Sequence, residues 1–257
     1  MDDIDRSLAR AVLARTLKDG LSFPTRRTLR AFRNEGRKAL RRAAVPEPGA
    51  GSAGAALVEA AERLCAVRAA SPEGLRDEYE SLFGHALRGR VCPYETEYAG
   101  GALFQHAQEL ADISGFYRAF GLEAAWANGE RVDHAACEFE FLEFLSMKEA
   151  WALEPRDAEM LEVTRRAARG FLRDHLARFG VAFGTSLRRE GRDGFYGRLG
   201  ALCTAFLRSE CARLGLRTGP ELLELRPEVE DPVPMACGGE ENRGPELQEI
   251  RSRRWDG

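Results

Sequence analysis

Apolar positions recur along this chain every three or four residues and almost never in strict alternation. Ile4, Leu8 and Val12 share one stripe with Leu13 and Leu17 beside it, which predicts a helix over 4–18 stopped by Gly20. A second helix is expected after Pro24, over about 25–42, and a third over about 55–70. Pro72 suits the first turn of a fourth, which carries GLRDEYESLFG. Between the second and third, VPEPGAGSAG (45–54) has the composition of a linker.

The loop RGRVCPYETEYAGG leads into a helix over about 102–120 that Gly121 closes, and RVDHAACEFEFLEFL (131–145) begins the next. Beyond Pro155, the spacing of Met160, Val163, Ala167, Phe171 and His175 predicts a long helix, and 195–214 predicts the last. Strand signals are nearly absent. The expected fold is therefore all-α, a single-domain bundle of roughly 9–11 helices over 1–220. After Gly219 there are five prolines in 38 residues, so 221–257 is expected to be an irregular tail.

Composition narrows the class. With 257 residues, 44% apolar and 31% charged, the chain can bury one large core. No run approaches the roughly 18 apolar residues of a membrane span, and MDDIDRSLAR lacks a secretory layout, so no stable membrane insertion and a cytoplasmic location are expected. Six cysteines without a CxxC pair suggest free thiols. Net charge is only −3, yet it is segregated: 12 basic and 5 acidic side chains in 1–42, 7 and 19 in 73–162, 12 and 4 in 163–219. An acidic middle suits a basic peptide partner.

Within 131–145, Asp133 stands just before the apolar periodicity, where a short carboxylate can cap the helix, and Val132 with Cys137 would form a hydrophobic staple. His134 and Glu138 are four apart and share a side. Three readings stay open here: cap and helix start, recognition surface, or metal site. The last suffers because adjacent residues on a helix diverge. Phe139, Phe141, Leu142, Phe144 and Leu145 cover more than one face, which marks this helix as the centre of the bundle. In CPYETEY (92–98), Tyr94 and Tyr98 alternate with Glu95 and Glu97. Pro93 stiffens the loop, which is either ordered surface or a docking face.

EYESLFG (78–84), VCPYETEY (91–98), FYRAFGLE (116–123), RVDHAACEFEFLEFL (131–145) and FLRDHLARF (171–179) together resemble the TorD/DmsD/NarJ-type chaperones, over about residues 75–180. Tyr94 stands where a second proline is common in that family, and Val132 where proline precedes Asp-His. The long tail with Cys237 resembles chaperones for the type II enzymes of the dimethyl sulfoxide reductase superfamily.

The resemblance implies an all-helical, cytoplasmic, non-enzymatic protein without cofactor or metal, a monomer or homodimer. Its implied partner is the catalytic subunit of a dimethyl sulfoxide reductase-superfamily molybdoenzyme. Such chaperones bind that subunit's N-terminal segment, often a twin-arginine signal peptide, until the molybdopterin cofactor is inserted. A peptide with paired arginines before an apolar stretch needs carboxylates beside an apolar groove. The candidate carboxylates are Glu95, Glu97, Asp133 and Glu138, with His134 among them; the candidate walls are Tyr94, Tyr98, Phe116 and Tyr117.

Other readings compete. Thr25-Arg26-Arg27-Thr28-Leu29-Arg30 looks like an export motif, but charged residues follow it instead of an apolar core. A metal-dependent enzyme in a helical bundle would use Glu138, Glu143, His134 and His106, yet no Glu-x-x-His is present. A nucleic-acid binder would use the basic N-terminal block, but no helix-turn-helix pattern supports it. His85, His106 and His175 are the remaining histidines; one near helical apolar spacing, as His175 is, is expected to pack with one nitrogen bonded and no further duty, with peptide contact as the alternative.

Overall fold

In the computed structural model the first helix, α1 (Asp3–Leu21), lies antiparallel along the most apolar one, α6 (Ala135–Leu153). Arg15 meets Glu143 at 2.6 Å and Arg10 meets Glu149 at 2.8 Å, so numbers rise along one helix as they fall along the other. The other α-helices among the described residues are α2 (Asn34–Ala43), α3 (Gly51–Cys65), α4 (Pro72–Phe83), α5 (Leu103–Ala119), α7 (Ala158–Phe171), α8 (Ala177–Gly191) and α9 (Phe195–Leu214). The structure describes residues 1–26, 29, 32, 34–67, 71–84, 89–98, 103–123 and 131–226. His85, Cys237, much of the arginine motif at 25–30 and residues 227–257 of the expected tail lie outside them. Residues 1–226 form one compact unit.

The fold is all-helical, as the periodicity predicts, and several ends follow from local chemistry. Ser71 accepts a hydrogen bond from the Gly74 N–H at 3.0 Å, with Pro72 in the first turn. Gly121 follows α5 with φ +71°, a backbone state that glycine adopts cheaply. Two expectations need correction. Helix α3 begins at Gly51, inside the stretch read as a linker. Gly20 does not stop α1, which runs on to Leu21; a Cβ at Gly20 would lie 2.7 Å from Leu199 Cδ2 on α9. That glycine permits close packing and has no role in ending the helix.

Between α7 and α8 one π-helical turn, Leu172–Leu176, keeps the helix continuous while widening it. Phe171, Leu172, His175, Leu176 and Phe179 all turn inward as a result. Helices α8 and α9 pack through glycine: a Cβ on Gly200 would meet Arg188 N at 2.5 Å and Gly184 O at 2.6 Å. Phe141 of α6 sits among the rings of Tyr117 (4.9 Å) and Phe171 (4.8 Å), the aromatic centre expected for this helix. Its outward side carries Met147 and Trp151, both exposed. No helix of the described residues is long and apolar enough to cross a membrane, and no disulfide joins the described cysteines.

Candidate functional site

The loop 91–98 and the turn 131–134 fit edge to edge. Tyr94 and His134 form an isolated antiparallel bridge, flanked by Glu95 N–H to Asp133 O at 3.0 Å and Ala135 N–H to Pro93 O at 2.8 Å. Tyr98 closes the loop by donating its hydroxyl to Cys92 O at 2.7 Å. Tyr117 on α5 donates to Val132 O at 3.0 Å. Nearly every buried polar group of this corner has a partner, which fixes its geometry.

Asp133 is not the helix cap. The cap is His134, whose Nδ1 accepts the Ala136 N–H at 3.1 Å, and the Val132–Cys137 staple loses its frame with that one-residue shift. A ring nitrogen that accepts must be unprotonated. Burial, the largest influence, brings the imidazole pKa down to about 4 against the opposing pull of Asp133. Asp133 is fully buried and turned toward the loop, where its Oδ2 accepts from Thr96 Oγ1 at 2.7 Å and from Thr96 N–H at 3.3 Å.

The residue that organises this corner is Arg131, absent from the set expected from sequence. Its Nε donates to Asp133 Oδ1 at 3.0 Å and its Nη2 to Asp133 Oδ2 at 2.8 Å, a forked pair. Nη1 donates to Glu97 Oε1 at 3.2 Å, and Nη2 also reaches Thr96 Oγ1 at 2.7 Å and lies 3.1 Å from His106 Nε2. The guanidinium lies over the Tyr94 ring, 4.6 Å from its centre. Burial alone would lower its pKa; Asp133 and Glu97 outweigh that and raise it. The only sequence signal was an arginine two residues before Asp133 in an acidic stretch.

A second group forms on the other side of the loop. His175, expected to bond through one nitrogen, faces carboxylates with both: Nδ1 is 3.2 Å from Glu95 Oε2 and Nε2 is 3.2 Å from Asp112 Oδ2. The ring also packs against Phe116 at 5.5 Å. Glu138 is fully buried, and neither of its oxygens receives a hydrogen from a donor group. Burial, followed by the charges of Glu95 and Asp133, holds its pKa well above the usual carboxylate range. This enclosure favours the protonated form of Glu138 over the charged one.

Beside this corner opens a groove of about 700 Å³. Glu95 and Glu109 supply acid, Arg178 and Arg217 stand as cations, and Tyr98 and Phe179 give an aromatic lining. Residues 217–220 and Leu223 complete its rim. Arg226 ties this last segment down, its N–H to Glu97 O at 2.8 Å and its guanidinium to Glu109 Oε2 at 3.3 Å. Burial raises the pKa of Glu109, and Arg226 opposes it.

The nine residues singled out from sequence thus gather in one region, but in different roles. Glu95 and Tyr98 line the groove; Tyr94 faces Arg131; Phe116 and Tyr117 pack behind. Asp133 and Glu97 bind the chain's own arginine, His134 caps a helix and Glu138 is enclosed, with its pKa raised by burial. The rival enzyme's residues do not converge: Glu143 pairs with Arg15 on α1 and His106 sits by Thr96. Among the described residues no three His, Cys, Asp or Glu side chains are placed to hold an ion together.

This helical bundle, with its paired loop and Asp-His turn, matches the family model described as nitrate reductase delta subunit over residues 47–184, more than half the chain. The protein belongs to that family, which comprises NarJ/TorD-type assembly chaperones rather than enzymes. It is 34% identical over 117 residues to the selenate reductase assembly chaperone protein of Thauera selenatis. That match covers 46% of this chain and 58% of the relative, so the two align over less than two thirds of the relative's length.

Proposed function

We propose that this protein is a cytoplasmic assembly chaperone for the catalytic subunit of a molybdenum oxidoreductase, of the kind the Thauera relative's name associates with selenate reductase. It binds the subunit's N-terminal segment, of twin-arginine type, and holds it through cofactor insertion before export. One observation carries the reading: Glu95 and Tyr98, singled out from sequence as peptide contacts, line a groove whose walls combine carboxylates with aromatic surface.

The groove suits such a segment chemically. Client arginines meet Glu95 and Glu109, and the apolar stretch that follows them lies on Tyr98, Phe179 and Leu223. Each arginine–carboxylate contact contributes about 1.5–3 kcal/mol if it is largely shielded from water, and less where solvent reaches it. Leu223 at the rim adds apolar area to bury, since Tyr98 and Phe179 are already almost fully covered. In this reading the chain makes and breaks no bond.

Co-expression of the chain with the molybdenum oxidoreductase subunit encoded nearest to it tests the proposal. The two should co-purify, and Glu95→Gln with Glu109→Gln should release the subunit while the fold persists. Retention of the subunit by the double variant would contradict the groove assignment.

A further inference from the structure

Thr96, Glu97, Asp133 and His106 meet the nitrogens of the Arg131 guanidinium, and the Tyr94 ring covers one face. We propose that this cage is an arginine-binding site filled from within the chain, and that a client arginine enters it by exchanging with Arg131. The inference rests on the client-peptide reading above and adds a specific place and a competitor to it.

Three features support exchange. The cage offers a forked carboxylate at 3.0 and 2.8 Å, a second carboxylate at 3.2 Å and an aromatic face at 4.6 Å, the set that distinguishes arginine from lysine. Its walls do not depend on the occupant. Thr96 holds Asp133 through both N–H and O–H, and backbone bonds join Glu95 to Asp133 and Ala135 to Pro93. The Arg131 side chain is 25% exposed while that of Asp133 is 0% exposed, so the occupant sits at the mouth and the receiving carboxylate at the base.

Two carboxylates face one guanidinium, so the cage keeps a net negative charge when filled and attracts a second cation before the first departs. An internal occupant lowers apparent client affinity by the fraction of time the site is empty. Arg131 then acts as a threshold: a lone basic residue fails to displace it, whereas an arginine delivered by a segment already seated in the groove succeeds through effective concentration.

Full-length wild type, Arg131→Ala and Arg131→Lys decide this in two measurements. In thermal unfolding, N-acetyl-arginine amide should raise the midpoint of Arg131→Ala but not of wild type, and N-acetyl-lysine amide should raise neither. Equal shifts for wild type and variant would overturn the cage. In calorimetry with a synthetic peptide carrying paired arginines before a leucine stretch, Arg131→Ala should bind about tenfold more tightly than wild type, with Arg131→Lys between them.

If Arg131→Ala does not fold, Arg131→Lys still leaves a cation on the carboxylates and carries the comparison. Binding no tighter than wild type would overturn the exchange. A peptide that binds all three forms equally leaves the chaperone reading intact and removes this inference. A peptide that binds none removes the chaperone reading, while the amide measurement still judges the cage.

Discussion

Tyr94 and His134 face each other across the loop 91–98 and the turn 131–134, bridged through the backbone and with rings edge to face at 5.2 Å. The loop motif and the Asp-His turn are therefore one structure, and Tyr94 supports it from two directions because Arg131 lies over the same ring. Replacing Tyr94 with Ala should lower unfolding free energy by about 1–2 kcal/mol. Urea titration reads this as a lower midpoint at unchanged slope. Tyr94→Phe should recover most of the loss.

The His134 cap makes stability depend on acid. Its folded pKa of about 4 lies below the ordinary 6.5, so between those values the unfolded chain binds more protons than the native one. Stability therefore falls as pH drops from 6.5 toward 4, by about 3 kcal/mol from this group. Asn is a strong cap that does not titrate. The difference in stability between wild type and His134→Asn should shift in the variant's favour across that window, and a difference independent of pH would refute the assignment.

Glu138 acts with the opposite sign. Its pKa is raised in the folded state, so its contribution is most favourable below the ordinary 4.5 and is lost as pH climbs toward the folded value. Glu138→Gln keeps the size and carries no charge at any pH. The variant should match wild type near pH 4 and exceed it in melting temperature at pH 8. Equal melting curves at pH 8 would show that Glu138 is not a buried neutral acid.

Helix contacts give two further checks of the fold. Gly200→Ala would set a Cβ against backbone of α8, which cannot step aside as a side chain can. A cost of about 1–3 kcal/mol should outweigh the helix-propensity gain of alanine. Phe141→Ala should cost about 3–5 kcal/mol, since five aromatic rings lose their common neighbour. Both are read from thermal or urea unfolding.

Much of this was legible because helical periodicity is a local signal. The 195–214 helix and the Pro72 start follow from residues a few positions apart. Gly20 was misread because a glycine that ends a helix and one that admits a neighbouring leucine look alike without the neighbour, and Leu199 is 179 residues away in the chain (199 − 20). Asp133 was misread for the same reason. A carboxylate before a helix is a good cap unless something better bonds it, and its partners are Thr96 and Arg131.

The nine residues chosen from sequence lie in one region, but the pattern does not show which of them face outward. Charge patterning counts Glu97, Asp133 and Glu138 as acid available to a ligand. Burial raises the pKa of Glu138, and the other two hold an internal cation. Glu109 and Arg217, which reach the groove from α5 and the segment after α9, lie in no motif, and Arg178 on α8 lies within FLRDHLARF without being marked there as a contact.

The central claim is that this face holds another protein's arginine-bearing leader, and calorimetric titration with that leader tests it most directly. A synthetic peptide of the N-terminal segment of the oxidoreductase subunit encoded nearest to this chain should bind saturably. Binding should weaken as salt rises, and be lost when the paired arginines are replaced by Gln or when Glu95 and Glu109 are. Saturable binding that ignores both replacements, or no heat of binding from the intact leader, would contradict the account.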